Sequence, residues 1–196
     1  MKKKIFLISL IILILIVGLF VLTGCENKNE VNTTSNANNN VSDAKLITIG
    51  DNKIQLDKKD NYSGKVEYTY SSSFKLDNSG TTRFYSFVDK DDNELVQISV
   101  NTTYETPDRT ISLLERNYYN NNTNNVKSEN KTINDMDCVY IEYNNTTKDI
   151  DYVNHEYYYL FDKEDNNYFY IKIKAKGSLD EYKELEEEIV NNVLLK

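Results

Sequence analysis

The chain has 196 residues, a formal net charge of −8 at pH 7, two cysteines, one histidine and 6 glycines. So acidic a chain is a poor partner for nucleic acid or for an anionic membrane surface. One histidine and few glycines also leave little material for Ser/His/Asp or Cys/His catalysis or for a phosphate-cradling loop.

The first element is apolar. Lys2, Lys3 and Lys4 precede a run from Ile5 to Leu22 that is interrupted only by Ser9 and Gly18. A positive start and an apolar run mark a secretory signal. The same run would reach about 27 Å as a helix, which also suits a retained membrane anchor. The next residues separate the two readings. Leu22-Thr23-Gly24-Cys25 resembles the lipobox of bacterial lipoproteins: an aliphatic residue, two small ones and then Cys. That resemblance implies cleavage after residue 24 and diacylglycerol transfer to the Cys25 thiol, two chains being enough for stable anchoring. The membrane is then a partner through the acyl chains on Cys25, and the mature chain lies on the extracytoplasmic face. A composition rich in Asn, Lys, Ile and Tyr resembles that of low-GC Gram-positive bacteria.

Residues 26–40 hold seven Asn, with Val31 and Ala37 as the only apolar side chains. Such a stretch buries too little surface to offset its ordering entropy, so 25–40 reads as the lipidated Cys and a disordered tether. Residues 41–196 form one domain of ordinary size. Residues 1–24 carry three Lys and no acid, so the mature chain has 20 basic against 31 acidic residues and a charge of −11. With Cys25 taken by lipid, Cys138 stands alone in an alternating apolar pattern and reads as a buried core thiol. A monomer is expected.

Hairpins dominate residues 46–175. Leu46–Ile49 and Lys53–Leu56 flank Gly50-Asp51-Asn52, and Lys65–Tyr70 alternates. Arg83–Val88 and Glu94–Val100 flank Asp89–Asn93. Thr106-Pro107-Asp108 then opens a helix with a capping hydroxyl, Pro at the first position and an acid near the positive end of the dipole. Its stripe is Ile111, Leu114 and Tyr118, and the Asn run 120–122 stops it. Val126–Ile133 and Asp137–Tyr143 form a third hairpin. Tyr152–Phe161 and Tyr168–Ala175 form a fourth. Ser178 and Glu181 make a capping box for a last helix with Leu179, Tyr182, Leu185, Ile189 and Val193 on its buried stripe. Glu184, Glu186, Glu187 and Glu188 read as its solvated face. The fold class is therefore α+β: a single mainly antiparallel sheet of about 6–8 strands, with two helices packed on it.

The Tyr68-Thr69-Tyr70-Ser71-Ser72-Ser73-Phe74 entry, the helix after the second hairpin, and the Tyr-rich hairpin leading into a final amphipathic helix resemble the PsbP/Mog1-like domains. The resemblance implies helices on both faces of the sheet and a non-catalytic role in binding or assembly. Tyr70-Ser71 departs from the aromatic-Pro that family often carries after its first strand.

Strand alternation sorts the last hairpin. Phe169, Ile171, Ile173 and Ala175 point to the core. If Phe161 pairs near Tyr168, then Tyr157, Tyr159, Phe161, Tyr168 and Tyr170 share one face, either under a helix or as an aromatic platform for a glycan or peptide. His155 reads as a structural histidine. Asp89–Asn93 and Asp162–Asn166 begin like calcium-binding loops, but Glu94 and Asn167 occupy the Gly position, and Val100 and Ile173 the place of the bidentate Glu, so both read as polar turns. No metal site and no cofactor are expected. The function expected is a non-catalytic binding or assembly module with a protein or cell-wall partner. The alternative is a cell-surface hydrolase using Glu142 and Glu156 as acid and base.

Overall fold

The computed structural model describes residues 46–78, 80–116 and 122–196. The expected signal peptide, Cys25, the tether and Tyr118 lie outside the described residues.

A seven-stranded antiparallel sheet organises the domain, in the order β5-β6-β7-β11-β10-β9-β8. Its strands are β5 (Lys75–Asp77), β6 (Arg83–Val88), β7 (Glu94–Thr103), β8 (Asn124–Ile133), β9 (Met136–Thr147), β10 (Ile150–Asp162) and β11 (Asn167–Lys176). The fold class expected from sequence is the one observed. Two smaller sheets accompany it: the hairpin β1 (Leu46–Ile49)–β2 (Asn52–Gln55), and β12 (Leu194–Leu195)-β4 (Val66–Tyr70)-β3 (Lys58–Tyr62). Strand β3 has the sequence Lys-Lys-Asp-Asn-Tyr, which carries no apolar alternation. Pairing with β4 makes it a strand.

Turn chemistry sets the meander β8–β11. Asn134-Asp135 and Lys148-Asp149 both have positive φ at each residue, the requirement of a two-residue hairpin turn whose twist matches its strands. The second of these turns carries β9 and β10 four and two residues beyond the expected ends at Tyr143 and Tyr152. It has no glycine to announce it.

Helix α1 (Pro107–Glu115) starts where the sequence places it, with the Thr106 hydroxyl accepting from Arg109 N at 3.4 Å. It lies in the crossover from β7 to β8, which sit on either side of β11, β10 and β9. Leu114 therefore packs on Ile141, Tyr143 and Tyr158. At the C-terminus, the Ser178 hydroxyl accepts from Asp180 N at 3.0 Å and opens a single 3-10 turn, Asp180–Tyr182, before α2 (Lys183–Asn191). The expected stripe from Leu179 to Val193 is buried in the main core, with Tyr157, Tyr159, Phe169 and Ile171. The helices thus lie on opposite faces of the sheet.

Cys138 is in that core, and burial pushes its thiol up to about 12. The turn at Asp89 is closed by its own carboxylate. Asp89 Oδ1 accepts from Asp91 N at 2.8 Å and Asn93 N at 2.9 Å, and the Asn93 side chain helps to hold its carboxyl below the usual range.

Candidate functional site

The register of the last hairpin decides which side chains meet. Tyr158 pairs with Tyr170 and Leu160 with Tyr168, and the register then shifts by one residue between Leu160 and Asp162. The five aromatic residues expected on one face are therefore split between two. Tyr157, Tyr159 and Phe161 join the core under α2, while Tyr168 and Tyr170 join the cluster under α1. The reason is the irregularity at Phe161: one extra residue in one strand transfers every side chain beyond it to the other face. Each face then carries its own cavity.

The cavity under α1 has a volume of about 330 Å³ and is bounded by Asn101 and Thr103 of β7, by Glu105 and Thr110, and by further residues of the sheet. Glu156, only 3% exposed, lies at its floor. Tyr143 donates its hydroxyl proton to Glu156 Oε1 at 2.7 Å, and Tyr158 donates to Oε2 at 3.0 Å. Lys172 Nζ lies 3.2 Å from Oε1 and donates to the Tyr143 hydroxyl at 2.6 Å. The Tyr170 ring lies 4.9 Å from that of Tyr158, centre to centre. Burial, reinforced by the Glu156 charge, pushes the Tyr158 and Tyr170 phenols well above their ordinary range. Two phenols and one ammonium thus converge on one carboxylate. Strand alternation brings them there: Tyr143 comes from β9, Glu156 and Tyr158 from β10, and Lys172 from β11.

The opposite cavity, about 490 Å³, lies between the sheet and the segment leading into α2. Here Glu186 Oε1 is 2.7 Å from His155 Nδ1 and accepts the Tyr157 hydroxyl proton at 2.7 Å. The expected solvated face of α2 is therefore corrected at one position, because Glu186 is only 6% exposed. His155 pairs across the strands with Glu142. Against the upward push of partial burial, Lys127 at 3.0 Å and the nearby His155 hold the Glu142 carboxyl below its usual range.

The carboxylates expected as an acid–base pair are not brought together. Glu142 is the cross-strand partner of His155, and Glu156 is the residue after it. Their side chains leave the sheet on opposite faces, so no substrate could touch both. Glu142 keeps a histidine neighbour instead, and Glu156 is enclosed by tyrosines.

No family model matches the sequence, and no curated protein matches it. Solved structures do. A Pseudomonas aeruginosa protein of unknown function is similar at 7% identity and a TM-score of 0.47, over 78% of this chain and 97% of its own. The cyanobacterial PsbP of Synechocystis is similar at 9% identity and a TM-score of 0.50, over 69% of this chain and 89% of that one. The fold is PsbP-like. Within it, Glu186 was invisible to pattern reading because it stands in a run of acids, Glu184 and Glu186–Glu188. The usable signal was geometric: the step from Leu185 to Ile189 puts Glu186 at the border of the apolar stripe. Lys172 and Glu156 carried a signal too, since each interrupts the outward face of an aromatic strand.

Proposed function

We propose that this PsbP-like chain is a non-catalytic, extracytoplasmic binding module, held to the membrane by acyl chains on Cys25, and that it takes its ligand in the Glu156 cavity. The observation that carries this reading is the ion pair of buried Glu156 with partly buried Lys172 at the floor of an open cavity. A buried ion pair is weak evidence for stability, because well-packed apolar residues of the same volume often serve as well or better. A pocket with a few convergent polar groups is the ordinary form of a recognition site, and this one falls within the usual size range. The lipobox and the Asn-rich tether supply the placement. The test has two parts. Cys25→Ala is expected to move the full-length protein from the detergent phase to the aqueous phase in a lipid-partition assay; unchanged partitioning would mean that the apolar run is a retained helix. A photo-crosslinking residue at Thr103, on the cavity rim, is expected to capture a defined species in intact cells, while one at Lys90 does not. Equal labelling at both would overturn the cavity as the binding site.

One observation favours the hydrolytic alternative. Glu186 holds His155 through Nδ1, which leaves Nε2 as the nitrogen open to a water or substrate in the second cavity, beside Glu142. This reading expects the full-length protein to release soluble fragments from purified cell wall, and His155→Gln to abolish that release. Absence of turnover by the wild type removes it.

A further inference from the structure

We infer that the Glu156 cavity takes a neutral polyhydroxylated ligand, one or two sugar rings in size. This inference rests on reading that cavity as the binding site. The lining argues first against an apolar ligand. Among the described residues twelve line it, and of these only Leu114 lacks a side-chain nitrogen or oxygen. An apolar molecule would strip water from these groups without replacing the hydrogen bonds. The charges argue next against an anion. Among the described residues, Glu105, Glu156 and Lys172 are the charged groups of the lining, and Lys172 is already matched to Glu156. That leaves Glu105, which Arg109 meets at 3.1 Å from outside the lining, within a strongly acidic domain. A free amine fares no better. The Lys172 ammonium already occupies the place a cation would seek, 5.2 Å from the Tyr143 ring centre and in contact with Glu156.

The remaining hydrogen-bonding capacity is mixed. The Thr103 hydroxyl accepts from Glu105 N at 3.0 Å, so its own proton is left to donate. Lys172 directs one N–H group to the Tyr143 hydroxyl and faces Glu156 at 3.2 Å as its ion-pair partner, which leaves it N–H capacity for a ligand. On the acceptor side, the single Tyr158 proton goes to Glu156 at the shorter distance, 3.0 Å against 3.3 Å, so the Thr110 hydroxyl can donate to Tyr158 and keep its lone pairs for a ligand. Glu105 Oε2 is a further acceptor, since Oε1 takes the Arg109 bond. Donors and acceptors interleaved over a few ångströms suit hydroxyl groups, each of which does both. The volume, at the small end of ligand pockets, sets the size.

Saturation-transfer NMR on the full-length chain in a zwitterionic detergent tests this. The probes are N-acetylglucosamine, its β-1,4-linked disaccharide, n-butylamine, inorganic phosphate and toluene. The expected result is saturable transfer to the saccharides alone, weakened about five- to tenfold by Thr110→Val and by the rim variant Glu105→Ala, and unchanged in Thr48→Val. Thermal melting of each variant shows whether it is folded, and Glu105→Ala keeps the test open if Thr110→Val is not. Transfer to the amine, phosphate or toluene without the saccharides overturns the ligand class and leaves the site intact. Saccharide transfer that neither variant weakens overturns the placement. No transfer to any probe overturns the class, and the Thr103 crosslink then decides separately whether the cavity is a binding site.

Discussion

Glu156→Leu is expected to destabilise the domain by about 3 kcal/mol, the low end of the cost of removing one partner from a buried charge pair, since Lys172 is only partly buried. The mechanism is specific. Without the carboxylate, the Tyr143 and Tyr158 hydroxyls lose their acceptor, and the Lys172 ammonium is left among aromatic rings. With a urea m-value of about 2 kcal/mol/M, the unfolding midpoint should fall by about 1.5 M. Lys172→Met is expected to cost less, about 1–3 kcal/mol, since Glu156 keeps its phenol donors and only one partner is lost. The double variant Glu156→Leu/Lys172→Met should be more stable than Glu156→Leu alone, because an apolar pair replaces an orphaned charge. If the two losses simply add, the pair is not coupled, and the floor of the cavity is not an enclosed carboxylate site.

The second large effect is on the other face. Glu186→Ala is expected to cost about 2–4 kcal/mol, as a buried phenol and an imidazole lose their shared acceptor. For a domain of this size that lowers Tm by about 5–15 °C in a calorimetric scan. Glu187→Ala, one residue on, removes an exposed side chain whose contact with Lys183 is 4.0 Å, and should change stability by less than about 0.5 kcal/mol. The contrast is the measurement. A helix whose acids all face solvent would give two equally small losses, so equal Tm values for these variants would contradict the seating of α2 on His155 and Tyr157.

The hairpin pattern, both helices, Ile111 and Leu114 of the first stripe and the whole of the second were legible because they depend on local information. Period-2 alternation, a Thr-Pro-Asp start and a 3-4 spacing of Leu, Ile and Tyr each refer to residues within one turn or one strand. Strand β3 was not legible, since its four polar residues and Tyr62 become a strand only through pairing with β4. The Lys148-Asp149 turn was missed for a related reason: non-glycine residues seldom adopt positive φ, and here a long ladder on both sides holds them there.

The candidate site divides along the same line. Local pattern was enough to put Tyr157, Tyr159, Phe161, Tyr168 and Tyr170 on paired strands, to put Glu142 and Glu156 on neighbouring ones, and to give Cys138 a core environment. Which of them meet depended on the assembled sheet. A one-residue shift near Phe161 set the faces, separating Tyr157 from Tyr170, and the β9–β10 register separated Glu142 from Glu156. Assembly also brought together groups far apart in the chain: Tyr143 with Lys172, and His155 with Glu186. Alternation fixes which residues of a strand share a side, but it says nothing about the offset between two strands, and a change of one residue in that offset exchanges every partner.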